Sequence, residues 1–140
     1  MILHSDLLGD LEVSDEQVME FPDGLFGFPE CREFALVPAE REGLYWLQSV
    51  QYGTLVFLLV DPFHYFDDYA IDLHASDLRE LHAREPADVA VFCIVTLPSR
   101  RDEKPTANLQ GPLALNLQAR AGKQFALSES EYGVRCGFEL

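Results

Sequence analysis

Lys104-Pro105-Thr106-Ala107-Asn108-Leu109-Gln110-Gly111-Pro112-Leu113-Ala114-Leu115-Asn116 is the stretch from which the rest of the chain can be ordered. It follows residues 89–97, the most strand-like run, rich in β-branched and apolar side chains. Two prolines and a glycine interrupt it, while Thr106, Asn108 and Asn116 stand beside leucines of core character. A buried amide left unpaired costs about 1–3 kcal/mol, so a polar residue survives there only with partners. Thr106, Asn108 and Asn116 are therefore expected to tie an irregular segment into a sheet through side-chain to backbone hydrogen bonds. The stretch reads as scaffold first and as a site only second.

Upstream, residues 54–60 form a continuously apolar run, expected to be covered on both faces and ended by Asp61-Pro62. Residues 44–50, with the only tryptophan, and residues 34–37 read as strands. Residues 10–13 and 17–21 alternate with period two around Ser14-Asp15-Glu16, which predicts a hairpin or a pair of neighbouring strands. Pro22-Asp23-Gly24 has turn chemistry. Leu25, Phe26 and Phe28 behind it either plug one end of the core or form an exposed patch, and the plug is preferred. Residues 69–73 alternate as a strand. The spacing predicts one helix over 77–84, with Ser76 or Asp77 as N-cap, Glu80 in a capping-box position and Leu78 and Leu81 as a narrow buried stripe.

Downstream of 89–97, residues 98–104 form a charged hairpin tip. Residues 120–123 turn into a strand at 124–127, residues 128–131 turn again, and 132–136 is the last strand. Turn signals recur at intervals of roughly 8–12 residues, the pattern of an all-β barrel or sandwich. The expected fold is mainly β: a small single-domain β-barrel-like fold over residues 1–140, with about nine to eleven short antiparallel strands and one short helix.

Charge narrows the function classes. The chain has 24 acidic against 10 basic residues and a formal net charge of −14. Such a surface repels nucleic-acid phosphates, whose non-specific binding needs several Lys or Arg contacts, and it repels anionic membranes. It attracts basic partners, although a merely soluble surface is the other reading of the same number. Cys31, Cys93 and Cys136 have no CxxC spacing and suit free thiols in a reducing cytosol. The N-terminus lacks basic and apolar signal regions, and no apolar run is long enough to span a bilayer. A cytoplasmic location is expected.

Catalytic patterns are missing from the sequence. His4, His64, His74 and His82 have no ligand spacing, and no GxSxG elbow occurs. Gly24-Leu25-Phe26-Gly27 lacks the lysine of a phosphate loop. Neither a metal nor a cofactor is expected, and an enzyme is disfavoured. Asp67, Asp68, Tyr69 and Asp72 stand out as a set, since an aromatic anchor beside carboxylates suits a Lys- or Arg-rich partner. The plainer alternative is a solvated loop with Tyr69 turned into the core.

Several segments in order resemble the FliW flagellar assembly factor family. Residues 21–28, Phe-Pro-Asp-Gly-Leu-Phe-Gly-Phe, are similar to its F-x-x-G-L-P-G-F. Trp46-Leu47-Gln48-Ser49 matches a W-L-Q-S strand, and Asp61-Pro62 with Asp68-Tyr69 matches D-P and D-Y. Residues 89–98 correspond to V-A-V-x-x-I-V-T-x-P. Thr106-Ala107-Asn108-Leu109 with Gly111-Pro112 and Asn116 corresponds to T-A-N-L-x-A-P and its following N, and Lys123-Gln124 with residues 132–135 completes the match. Phe26 and Gly111 replace the usual Pro and Ala. The resemblance implies a barrel-like fold and no catalysis. It implies a cytoplasmic regulator that binds flagellin and the RNA-binding translational regulator CsrA, relieves CsrA repression of flagellin translation, and is monomeric when unbound. Trp46, Gln48, Asp61, Thr106, Asn108 and Asn116 then carry the signature as scaffold. Asp67, Asp68, Tyr69 and Asp72 remain the partner-contact candidates from charge and aromatic character. A small-molecule-binding or enzymatic β-barrel and a flagellin-only chaperone are the competing readings.

Overall fold

Phe92 and Cys93 are neighbours in sequence and lie in different cores. The computed structural model describes residues 1–127 and 131–140. Its strands are β1 (Ile2–Ser5), β2 (Gly9–Glu12), β3 (Val18–Glu20), β4 (Glu33–Pro38), β5 (Leu44–Ser49) and β6 (Val56–Val60). They continue with β7 (Ala90–Thr96), β8 (Thr106–Ala107), β9 (Leu113–Asn116), β10 (Ala121–Gln124) and β11 (Cys136–Gly137). Two short helices, α1 (Pro62–Tyr65) and α2 (Ala75–Glu80), lie between β6 and β7.

The sheet closes into a barrel in the order β3-β4-β5-β6-β7-β9-β10, with β10 returning to β3 through the parallel pairing of Ala121 with Glu20. Closure removes sheet edges that would otherwise expose unpaired backbone. Side chains alternate across the barrel wall. Phe34, Leu36, Leu47, Leu59 and Phe92 point into one cluster with Met19, Phe21, Leu113 and Leu115. Leu58, Val60, Val91, Cys93 and Val95 point outward into a second cluster with Tyr69, Leu109 and Phe138. This is why residues 54–60 and 89–97 read as continuous apolar runs: the outer face of β6 and β7 is covered too. A third cluster of Leu3, Val13 and Ala35 forms where the β1–β2 hairpin covers β4.

The 104–116 stretch is irregular for a geometric reason. Both of its strands pair with the same edge of β7, Ala107 opposite Val95 and Leu113 opposite Phe92. The five residues 108–112 therefore span the distance that two residues, 93 and 94, span on β7. The surplus bends away as an enlarged bulge, held by Asn108. Its Oδ1 accepts from the N–H groups of Gln110 at 3.1 Å and Gly111 at 3.0 Å. Its own N–H bonds the Ile94 carbonyl at 2.9 Å. Gln124, buried on β10, clamps the bend by donating to the Gly111 carbonyl at 3.0 Å and accepting from the Phe26 N–H at 2.8 Å.

Several local expectations differ from the structure. β2 pairs with β1, whereas β3 pairs with β4 and β10, so residues 10–13 and 17–21 are not partners. Residues 69–73 have no ladder partner, although their burial alternates. The helix begins at Ala75 after the N-cap His74 and ends at Glu80, because His82 takes a left-handed φ of 55°. α1 adds a second helix, started by Asp61, whose Oδ1 accepts from the Phe63 N–H at 3.0 Å. Of the expected turn at 120–123 only Arg120, at φ 57°, lies in a turn, while 121–123 belong to strand β10, and the final strand is confined to Cys136–Gly137. The expected turn over 128–131 lies, at its first three positions, outside the described residues. In the 22–29 loop only Leu25 plugs the barrel, while Phe26 and Phe28 are exposed and Phe28 sets its edge against Phe57, centroids 5.7 Å apart.

Candidate functional site

The segment joining α1 to α2 brings together the residues that charge and aromatic character single out. Asp67, Asp68 and Asp72 are exposed. Tyr69 between them is 5% exposed and belongs to the core. Its hydroxyl donates to the Leu109 carbonyl at 2.8 Å, which joins the acidic segment to the bulge after β8. The Cys93 thiol, on β7, lies 3.9 Å from the same hydroxyl. Tyr132 supports the other side: its ring stands 4.6 Å from that of Tyr69, and its hydroxyl accepts from the Ala70 N–H at 2.9 Å. That hydroxyl also donates to the Asp68 carbonyl at 3.2 Å. Two tyrosines thus fix the backbone that carries the carboxylates.

Burial pushes the Tyr69 hydroxyl well above the ordinary range, with the neighbouring Cys93 adding to the effect. Burial likewise pushes the Cys93 thiol up to about 12; the hydrogen bond to Tyr69 opposes this, and Cys136 and Asp61 add to it. Both groups stay neutral at physiological pH and serve packing. Neither lines the cleft beside the acidic segment. Among those residues no three His, Cys, Asp or Glu side chains group as a metal site. No described helix is long and apolar enough to cross a membrane.

The signature residues take structural positions. Asn116, at the end of β9, is buried, and its Nδ2 donates to the Leu81 carbonyl at 3.0 Å and the His82 carbonyl at 3.2 Å. Gln48, on β5, is fully buried and donates to the carbonyls of Ser49, Tyr52 and Leu55, which closes the turn between β5 and β6. Trp46 packs half-buried on the outer cluster, opposite Leu58. Thr106 differs from the expectation: it is held by backbone pairing with Thr96 and Gly137, and its hydroxyl makes no hydrogen bond among the described residues.

The basic residues of 100–123 are partly engaged at home. Lys123 pairs with Glu80 at 2.5 Å, Lys104 with Glu139 at 3.1 Å, and Arg120 donates to the Asp15 carbonyl at 2.8 Å. Beside the acidic segment lies a groove of about 320 Å³, whose lining includes Phe63, Ile71, Asp72, Leu73, Val89 and Val91. Residue-by-residue reading singles out only Asp72 from this lining. The period-two pattern at 69–73 is the signal for Ile71 and Leu73, and the strand-like run 89–97 for Val89 and Val91.

A family model described as FliW protein matches residues 2–137. A flagellar assembly factor FliW of Natranaerobius thermophilus is 35% identical over 136 residues, 96% of this chain and 90% of that protein. That of Geobacillus thermodenitrificans is 39% identical over 127 residues, 91% of this chain and 88% of that protein. A crystal structure of the flagellar assembly factor FliW superposes with a TM-score of 0.89 at 34% identity, covering 98% of this chain and 96% of that one. The class defined by fold and likeness together is a flagellar assembly factor built on a small closed β-barrel. The chain belongs to the FliW family.

Proposed function

We propose that this protein binds the basic translational regulator CsrA, relieves its repression of flagellin translation, and also binds flagellin, so coupling flagellin synthesis to filament assembly. It acts in the cytoplasm by binding alone, as one domain over residues 1–140 that is monomeric when unbound, with no catalytic step and no direct contact to nucleic acid. The observation that carries this reading is membership of the FliW family over nearly the whole chain. The net charge of −14 supports it, because an acidic surface attracts an RNA-binding protein and repels RNA. Asp67, Asp68 and Asp72 are the contact residues proposed for the basic partner, on a loop that Tyr69 holds in place.

Gel filtration of the purified protein with CsrA, and separately with flagellin, tests the reading. A co-migrating complex with each is the expected result. A complex with flagellin alone would reduce the protein to a flagellin chaperone, and a complex with neither would overturn the proposal. Within a CsrA complex, Asp67→Lys combined with Asp68→Lys should lower affinity and flatten its salt dependence.

A further inference from the structure

The groove between the 69–73 segment and residues 86–91 combines three properties. Its lining is about half apolar: Phe63, 48% exposed, lies with half-buried Ile71, Leu73 and Val89 over Val91. Its rim is acidic: Asp72 lines it, and Asp67 and Asp68 precede it on the same segment, all exposed. Its wall has unused backbone donors. Among the described residues, the N–H groups of Ile71, Asp72 and Leu73 have no protein hydrogen-bond partner, although their side chains alternate in burial like those of a strand.

An unpaired strand-like wall beside a partly apolar groove can receive a polypeptide segment by backbone pairing, with side-chain pockets supplying selectivity. We infer that this groove docks a segment of the basic partner in which apolar side chains alternate with Lys or Arg. The apolar side chains enter between Phe63, Ile71 and Val89, the backbone bonds the Ile71 and Leu73 amides on one edge, and the cations meet Asp72 and its acidic neighbours. Charge complementarity selects this occupant: an acidic or neutral segment would leave the rim carboxylates unanswered. The inference rests on the functional reading above and extends the contact surface to the apolar residues that reading does not use.

The test uses the intact protein, purified CsrA as the probe and flagellin as a second arm. Phe63→Ala and Asp72→Lys should each weaken CsrA binding about tenfold or more, with Tm close to that of the parent. Phe26→Ser, at an exposed aromatic on the barrel end, should leave CsrA binding unchanged. In an NMR titration with CsrA, the amide signals of Ile71 and Leu73 should shift and gain protection from exchange. If the parent binds CsrA while Phe63→Ala and Asp72→Lys bind within about twofold of it, the groove assignment falls and the functional reading stands. Loss of flagellin binding with CsrA binding retained would likewise overturn it. A parent protein that binds no CsrA removes the functional reading, and the groove assignment with it.

Discussion

Asn116 holds the end of α2 to the barrel wall: its Nδ2 donates to the carbonyls of both Leu81 and His82, at 3.0 and 3.2 Å. A short helix leaves its last carbonyls without intrahelical partners, and here a strand side chain supplies one donor to two carbonyls beyond the helix end. The same amide's oxygen accepts from the Ala119 N–H at 3.3 Å and shapes the turn from β9 to β10. Replacing Asn116 by Ala should cost about 1–3 kcal/mol, because buried polar groups lose their partner. Asn116→Asp should cost more, since a carboxylate would face two carbonyl oxygens. Urea denaturation gives both values, and a change below the range for Ala would mean that water replaces the amide.

The chain beyond α2 is strained where it turns. His82 is exposed and holds φ at 55°, a conformation that costs side-chain-bearing residues about 1 kcal/mol or more. His82→Gly should therefore raise stability by roughly 0.5–1 kcal/mol, glycine being the preferred residue at such helix ends. An increase in Tm with unchanged denaturant m-value is the expected readout.

Asn108→Ala should lower stability by about 1 kcal/mol, by freeing the Gln110 and Gly111 N–H groups, while leaving partner affinity intact. The figure is at the low end because Asn108 is only half-buried. A variant of parental stability that no longer bound its partners would make the bulge a recognition surface. Calorimetric titration beside thermal melting separates the two outcomes.

Gly24 starts the loop that closes one end of the barrel, with φ at 66°. A Cβ there would clash with the Phe28 carbonyl oxygen and lie 2.7 Å from the Pro29 Cα, both backbone atoms that cannot step aside cheaply. Gly24→Ala combines left-handed strain with this collision and should cost on the order of 2 kcal/mol or more. Thermal melting reads the loss, and Leu25 should become more mobile by hydrogen exchange.

Stability should fall in alkali. The Cys93 thiol is raised from its ordinary value near 9 to about 12 in the folded protein. The unfolded chain thus releases its proton first, and the folded state binds more protons between those values. The contribution is fully present below about pH 9 and is lost progressively as pH rises towards 12. Tyr69, also raised, acts in the same direction. Chemical denaturation from pH 7 to 11 should show a decline that is shallower in Cys93→Ala, after allowance for the lost packing.

Legibility in the sequence followed the range of the responsible forces. The strand at 89–97, the apolar run at 54–60 and the Asp61-Pro62 stop were readable because alternation, side-chain branching and proline act within a few residues. The mainly β class followed from them. The helix start was misplaced because Asp77 bonds back to the His74 N–H at 2.9 Å, so the local capping cue was real but belonged to an earlier N-cap. The strand expected at 69–73 has the alternation of a strand without a neighbour, a condition that no local pattern reports. The pairing of β2 with β1, and of β3 with β10, depends on contacts far apart in the chain.

The acidic character, the mainly β fold and the need for Asn108 and Asn116 to find partners were determined by the sequence alone. Charge sums without regard to position, side-chain periodicity is local, and an amide among leucines demands hydrogen bonds in any fold. The partners themselves were decided by tertiary structure. Barrel closure placed the five residues 108–112 against two on β7, brought Asn116 beneath the end of α2, and turned Tyr69 inward while leaving Asp67, Asp68 and Asp72 in solvent. Those outcomes follow from filling one barrel interior and covering its outer wall at once, a constraint that no single segment carries.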